Sequence, residues 1–273
     1  MVSYYPKTLL EALHLKGEYI NVKPYAGGSD LMVLNNEGIS YLFLNQLSEL
    51  KEIKEEEESI FIGAGLTYSE LLESSIVPTI LKEAISGIAA PAIRNVGTMG
   101  GNICNASPAG DTLPVLYALG ASVKLLSESN KPRILPIDTF ILGIRKTALT
   151  DNELLEGIII PKKNFSNVYY KKVGARNAQA ISKISFVGLC NIEEGKVEEI
   201  RIAFGSVGVT VVRDKEFEKK WIGKKVSELI TNVSLVLKDY DSIIKPIDDQ
   251  RSTAFYRKKV CMNLLEDFIK GLK

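Results

Sequence analysis

The rhythm of apolar and polar positions divides the chain into an N-terminal part of short mixed elements and a C-terminal part of strands followed by helices. Leu9, Leu10 and Leu13 share a helical face and predict a short amphipathic helix over 8–14. Residues 19–22, 41–44, 59–62 and 123–126 read as strands, and the apolar run 31–34 opens a helix after a glycine turn. Thr67 and Glu70 form a capping box for a helix carrying Leu71 and Leu72. A further helix covers 78–87, and residues 88–91 connect it onward. Residues 113–119 are apolar and helical, with Pro114 in the first turn, where a missing N–H does little harm. The run 153–160 ends in three isoleucines stopped by Pro161, which marks 162–164 as a domain boundary. Beyond it, 184–191 and 197–204 are neighbouring strands around a turn at 193–196, and 207–212 adds a third. Helices over 215–221, 226–237 and 252–272 follow, the last with Val260, Leu264, Leu265 and Phe268 on one stripe. The expected architecture is α+β, with one domain over 1–163 and a smaller one over 164–273.

One stretch resists this pattern. Residues 95–111 read N-V-G-T-M-G-G-N-I-C-N-A-S-P-A-G-D, a poor helix and a poor strand, and are expected to form a loop. Gly100, Gly101 and Asn102 can turn successive N–H groups into one concavity, with hydroxyls from Thr98 and Ser107, which suits an anion such as a phosphate. A long structural turn accounts for the same composition. A second glycine turn, K-P-Y-A-G-G-S-D, covers 23–30. Gly63-Ala64-Gly65 lacks the third glycine of a dinucleotide fingerprint, and G-x-x-x-x-G-K-[ST] does not occur.

Composition removes several functions. With 34 basic and 33 acidic residues the formal net charge is +1, so no overall field favours nucleic acid or an anionic membrane. No apolar run reaches the roughly 20 residues of a membrane span, and the N-terminus lacks a secretory pattern, which makes a cytoplasmic location the expectation. Three scattered cysteines, Cys104, Cys190 and Cys261, show no metal or cluster spacing, so no metal site is expected in this chain. Cys104 reads as a small buried residue, and Arg94 and Arg176 as ordinary surface or ion-paired arginines. His14 is the only histidine, which excludes triads and histidine-ligated metals. Abundant lysine, glutamate and isoleucine give a composition like that of heat-adapted proteins.

Two glycine segments about seventy residues apart, A-G-G-S-D at 26–30 and T-M-G-G-N-I-C-N-A-S-P-A-G-D at 98–111, resemble the paired flavin loops of one family. It is the FAD-binding medium subunit of the molybdenum hydroxylases, which include carbon monoxide dehydrogenase, xanthine dehydrogenase and aldehyde oxidoreductases. L-G-I-R-K-T-A-L at 142–149 with Glu153-Leu154, Y-K-K-V-G-A-R-N-A-Q-A-I-S at 170–182 and R-S-T-A-F-Y-R at 251–257 agree in the same order. The resemblance covers nearly the whole chain. It implies an FAD domain with two α/β subdomains, of the vanillyl-alcohol oxidase and p-cresol methylhydroxylase type. A smaller α+β domain with a three-stranded sheet and helices follows.

The same resemblance implies an oxidoreductase flavoprotein. Ala26, Gly27, Gly28, Ser29 and Asp30 carry over to one side of the FAD pyrophosphate, flanked by Lys23 and Tyr25. Thr98, Gly101, Asn102, Asn105 and Asp111 carry over to the other side, although Asp111 suits a ribose hydroxyl or a backbone N–H better than a phosphate. Ile88 and Ala89 match the segment near the adenine, and Leu155 and Lys172 match residues near the isoalloxazine. FAD is expected to be non-covalent, because His14 lies outside both loops. Molybdopterin and [2Fe–2S] clusters are expected only in partners, a large and a small subunit of a heterotrimer. No catalytic side chain is expected, since the redox chemistry belongs to the flavin. Two other functions suit the residues, a stand-alone FAD-dependent oxidase or reductase of the same fold and a nucleotide-binding module without redox activity.

Overall fold

A computed structural model describes residues 2–33 and 38–273. The chain forms two compact units, interleaved in sequence. The first comprises Met1–Pro78, Ala89–Ser107 and Gly120–Lys162; the second comprises Thr79–Ile88, Pro108–Leu119 and Lys163–Lys273.

In the first unit a parallel three-stranded sheet has Tyr41–Phe43 at its centre, with Ser3–Tyr4 on one side and Lys23–Tyr25 on the other. Helix Leu9–Glu18 starts where the Thr8 side chain accepts from the Glu11 N–H, and it buries Ala12 and Leu13 with Val22, Leu42, Leu47 and Leu50. An antiparallel five-stranded sheet follows in the order Ile53–Glu55, Ser59–Gly63, Leu154–Pro161, Ser122–Leu126, Arg133–Pro136. Its central strand is covered on both faces, which explains the continuous β-branched run before Pro161. These two sheets, each with helices, are the two α/β subdomains expected from the sequence.

In the second unit Asn167–Val173, Ile184–Glu193 and Lys196–Gly205 form an antiparallel sheet. The hairpin turn places Glu194 and Gly195 at φ of 48° and 73°, the left-handed pair that matches strand twist. Alternate residues of the central strand are buried on opposite faces. Ile184, Phe186 and Cys190 meet Leu265 and Phe268 of helix Ala254–Lys270, while helix Thr112–Leu119 packs on the strands as well. Gly188 lets the Phe268 ring approach to where a Cβ would lie 2.6 Å from it.

The R-S-T-A-F-Y-R stretch proves to be the start of that long helix. Thr253 caps it, and Arg257 donates to the Ser206 carbonyl (2.9 Å) and to Asp249 (2.6 Å). Burial opposes ionisation of Asp249. The N–H groups of Arg251 and Ser252 and the Arg257 guanidinium overcome it and hold the carboxyl at about 2. That value lies below the roughly 3.9 of an unfolded aspartate, so the lock stabilises the fold above about pH 4 and is lost as pH falls through about 2. D249N is therefore expected to be less stable than wild type in urea at about pH 5, with the gap closing by about pH 2.

Several expected elements differ. Residues 19–22 form a turn, and the strand begins only at Lys23. The helix expected over 31–34 is a single 3₁₀ turn, Leu31–Val33, and Leu34 lies outside the described residues. The third strand of the second sheet is Asn167–Val173, whereas Val212 makes only an isolated bridge to Phe204. The helix expected over 226–237 breaks at Asn232 into Val226–Thr231 and Val233–Ile243. The loop expected over 95–111 contains a helix, Met99–Asn105.

Candidate functional site

Helix Met99–Asn105 forms despite its glycines because tertiary contacts outweigh propensity. The Thr98 hydroxyl accepts from the Gly101 N–H (3.0 Å), the Met99 N–H donates to the Leu66 carbonyl (3.0 Å) and the Gly100 N–H to the Ala64 carbonyl (2.9 Å). Met99 and Ile103 are fully buried. Each glycine has its own reason. A Cβ on Gly100 would lie 2.6 Å from both the side chain and the carbonyl oxygen of Ala64, so only glycine lets the helix approach this close. A Cβ on Gly101 would meet only the Thr98 hydroxyl, at 3.0 Å, so its other side is open.

The loop 26–30 leaves strand Lys23–Tyr25 and touches the approach to that helix directly. A Cβ on Gly27 would fall 1.8 Å from the Val96 carbonyl oxygen, and Gly28 sits at φ 68° with the Tyr25 hydroxyl against it. Among the described residues, the N–H groups of Gly27, Gly28 and Ser29 meet no acceptor. They remain as donors beside the open face of Gly101.

Between the two segments lies a cavity of about 370 Å³. Of the residues expected at a site, Ala26, Gly27, Gly28, Ser29, Asp30, Thr98, Gly101, Asn102, Asn105 and Leu155 line it. Lys23 and Tyr25 lie outside that lining; the Tyr25 ring packs against Phe43 at a 40° tilt, with ring centres 4.6 Å apart. Ala89, also in this unit, has a left-handed φ of 43°, and its carbonyl accepts from Arg94. Thr98 uses its hydroxyl as a helix cap.

Ile88, Asp111 and Lys172 belong to the second unit. There the Lys172 ammonium donates to the Gly87 carbonyl (2.8 Å) and to Asp111 (2.7 Å), and Ser182 donates to the other Asp111 oxygen. Burial pushes the Asp111 carboxyl above the usual range, and Lys172 and Ser182 pull part of the way back.

The cavity also has walls that the sequence did not mark. Ala64 and Gly65, set aside for lack of a third glycine, contribute to it, as do Tyr68, Arg145 and Glu153. Burial works against the charge on Glu153, but the Arg133 guanidinium (2.7 and 2.8 Å) and the Thr150 N–H (2.9 Å) hold its carboxyl below the usual value. Cys104 is another wall residue, and burial pushes its thiol up to about 12, so it is not a redox thiolate. The arrangement offers backbone donors, small side chains and apolar walls. It suits a phosphate-bearing ligand, and among the described residues of the wall no nucleophile is paired with a base.

Comparison with known proteins agrees with this chemistry. Residues 1–163 match the profile of the FAD binding domain in molybdopterin dehydrogenase, and residues 169–272 match the CO dehydrogenase flavoprotein C-terminal domain. The glyceraldehyde dehydrogenase medium chain of Sulfolobus acidocaldarius is 32% identical, over 93% of this chain and 92% of its own. The xanthine dehydrogenase FAD-binding subunit of Escherichia coli O157:H7 is 31% identical over 78% and 76%. Among solved structures, a chain of the carbon monoxide dehydrogenase from Hydrogenophaga pseudoflava superposes with a TM-score of 0.91, covering 98% of this chain and 96% of that one at 27% identity. The free N–H donors, the glycine cradle and the cavity all fit the pyrophosphate of FAD, the cofactor that the matched profile names. The chain belongs to the FAD-binding subunits of the molybdenum hydroxylase family of oxidoreductases.

Proposed function

We propose that the chain is the FAD-carrying electron-transfer subunit of a heteromeric molybdenum hydroxylase. In this reading it receives electrons from [2Fe–2S] clusters of a small subunit, after substrate oxidation at a molybdopterin site in a large subunit, and passes them to an external acceptor. The assembly works in the cytoplasm. Bound flavin supplies the redox chemistry, and the chain's residues hold it and set its surroundings. The observation that carries the proposal is one cavity walled by both glycine segments, the first bringing the acceptor-less N–H groups of Gly27, Gly28 and Ser29 and the second the open side of Gly101.

The segments 26–30 and 98–105 hold the pyrophosphate, the first through the N–H groups of Gly27, Gly28 and Ser29 and the second by the close approach that Gly101 allows. Ile88 and Ala89 lie by the adenine, and Leu155 and Lys172 by the isoalloxazine; the Lys172 ammonium stabilises negative charge on the reduced ring. Asp111 orients that ammonium through their 2.7 Å contact. Residues 1–163 act as the FAD domain and 164–273 as the C-terminal domain. FAD is held non-covalently, since the single histidine, His14, lies exposed on helix Leu9–Glu18 beside Glu18 and Glu128.

Gentle purification from the native source tests this. The expected result is a yellow complex, absorbing near about 450 nm, in which this chain stays with an iron–sulfur subunit and a molybdenum subunit. A purified chain that turns over a small substrate rapidly without partners would point instead to a self-sufficient oxidase.

A further inference from the structure

Arg145 stands in a turn at a φ of 54°, a left-handed conformation that favours glycine, and at a long side chain it signals a constraint. Its backbone N–H donates to the carbonyl of Ala106 (3.1 Å), the residue that ends helix Met99–Asn105 in the same left-handed region, at φ 45°. One guanidinium nitrogen, Nη1, then donates to Asp30 Oδ2 (3.1 Å) and to Asn105 Oδ1 (2.9 Å). A single group therefore ties the end of the first glycine loop to the end of the helix that carries the second. Among the described residues of the cavity wall it is also the one cation, and Asp30 and Glu153 are the acids. Glu153 is already neutralised by Arg133. Asp30 has Arg145.

The arrangement resolves an electrostatic conflict. Asp30 places a carboxylate on the loop whose free N–H groups face the cavity, and a bare carboxylate there repels a phosphate. We propose that Arg145 is a positioning residue for the cofactor. Its guanidinium cancels the Asp30 charge and fixes Asp30 to Asn105, so that the free N–H groups of Gly27, Gly28 and Ser29 stay presented to a dianionic pyrophosphate beside Gly101. This rests on the FAD reading of the cavity. An exposed pair of this kind adds little to folding, so its effect falls on binding.

FAD titration of the full-length apoprotein, followed by flavin fluorescence, tests the proposal with R145M, D30N and D30N/R145M. R145M exposes the Asp30 charge and is expected to weaken FAD binding by about tenfold or more, with a thermal midpoint of the apoprotein close to wild type. D30N keeps the cation and removes the acid, so it binds within about threefold of wild type or tighter. D30N/R145M removes the repulsion together with the cation and recovers most of the loss. R145K, which keeps the charge and folds readily, retains most of the affinity. R145M binding as well as wild type would overturn the proposal. So would a double variant as weak as R145M, since a purely structural tie cannot be rescued by removing its second partner. A wild-type protein that takes up no FAD would instead refute the FAD reading itself.

Discussion

Valine at position 101 will leave the apoprotein folded and abolish its retention of FAD. The reasoning lies in the space around the glycine. A Cβ there meets only the Thr98 hydroxyl, a rotor that yields easily, and the backbone is helical, so the substitution carries no conformational strain. Replacing an exposed helical glycine even contributes about 0.5–1 kcal/mol when the new residue is alanine. The new side chain projects into the cavity, the space that the proposed function gives to the pyrophosphate. G100A gives the opposite outcome, because its Cβ would collide with Ala64 and force the helix away from Leu66 and Ala64. That costs about 1–3 kcal/mol of stability. Thermal melts of the apoproteins, paired with FAD stoichiometry after gel filtration, separate the two. Stoichiometric FAD in G101V would show that the helix does not face the cofactor.

D111A has the largest expected effect on stability. Asp111 is 6% exposed, and its carboxylate accepts from Lys172 and Ser182. Burial raises its pKa despite these partners, which means the pair is costly to desolvate and is not a large net gain. Removing one member is a different matter. It strands the Lys172 ammonium, whose side chain is 16% exposed, with only the Gly87 carbonyl. Stranding a buried charge in this way costs about 3–5 kcal/mol. K172M alone strands the carboxylate and also destabilises, whereas D111A/K172M removes both charges and is expected to be more stable than D111A. A urea double-mutant cycle reads the coupling directly. Additive effects of the two substitutions would mean that the pair is not the buried contact described above.

Much of this site was legible before any coordinates. Gly27, Gly28 and Gly101 stood out because glycine clusters mark places where a backbone or a ligand comes close, and they line the cavity. The capping box of Thr67 and Glu70 forms as its spacing requires, and the Glu194–Gly195 turn closes its hairpin. These are local signals, set within a few residues.

What escaped the sequence is non-local. Helix Met99–Asn105 has poor intrinsic propensity and exists because Ala64 and Leu66 accept its first N–H groups. Strand Asn167–Val173 carries Tyr170, Lys171 and Lys172 in a run with weak alternation, and its pairing with Ile184–Glu193 supplies what the pattern lacks. Arg145 gave no signal of its own, because nothing in L-G-I-R-K-T reveals that a turn will bring it to Asp30 across 115 residues.

In the proposed function the N–H groups of Gly27, Gly28 and Ser29 hold the pyrophosphate, and Gly101 stands beside it. Amide chemical shifts test it most directly, on deuterated, ¹⁵N-labelled apoprotein titrated with FAD. The amides of Gly27, Gly28, Ser29 and Gly101 are expected to show the largest shifts at one equivalent, as the first three acquire anionic acceptors and Gly101 an anionic neighbour. Saturable FAD binding that leaves these four amides unmoved would contradict it.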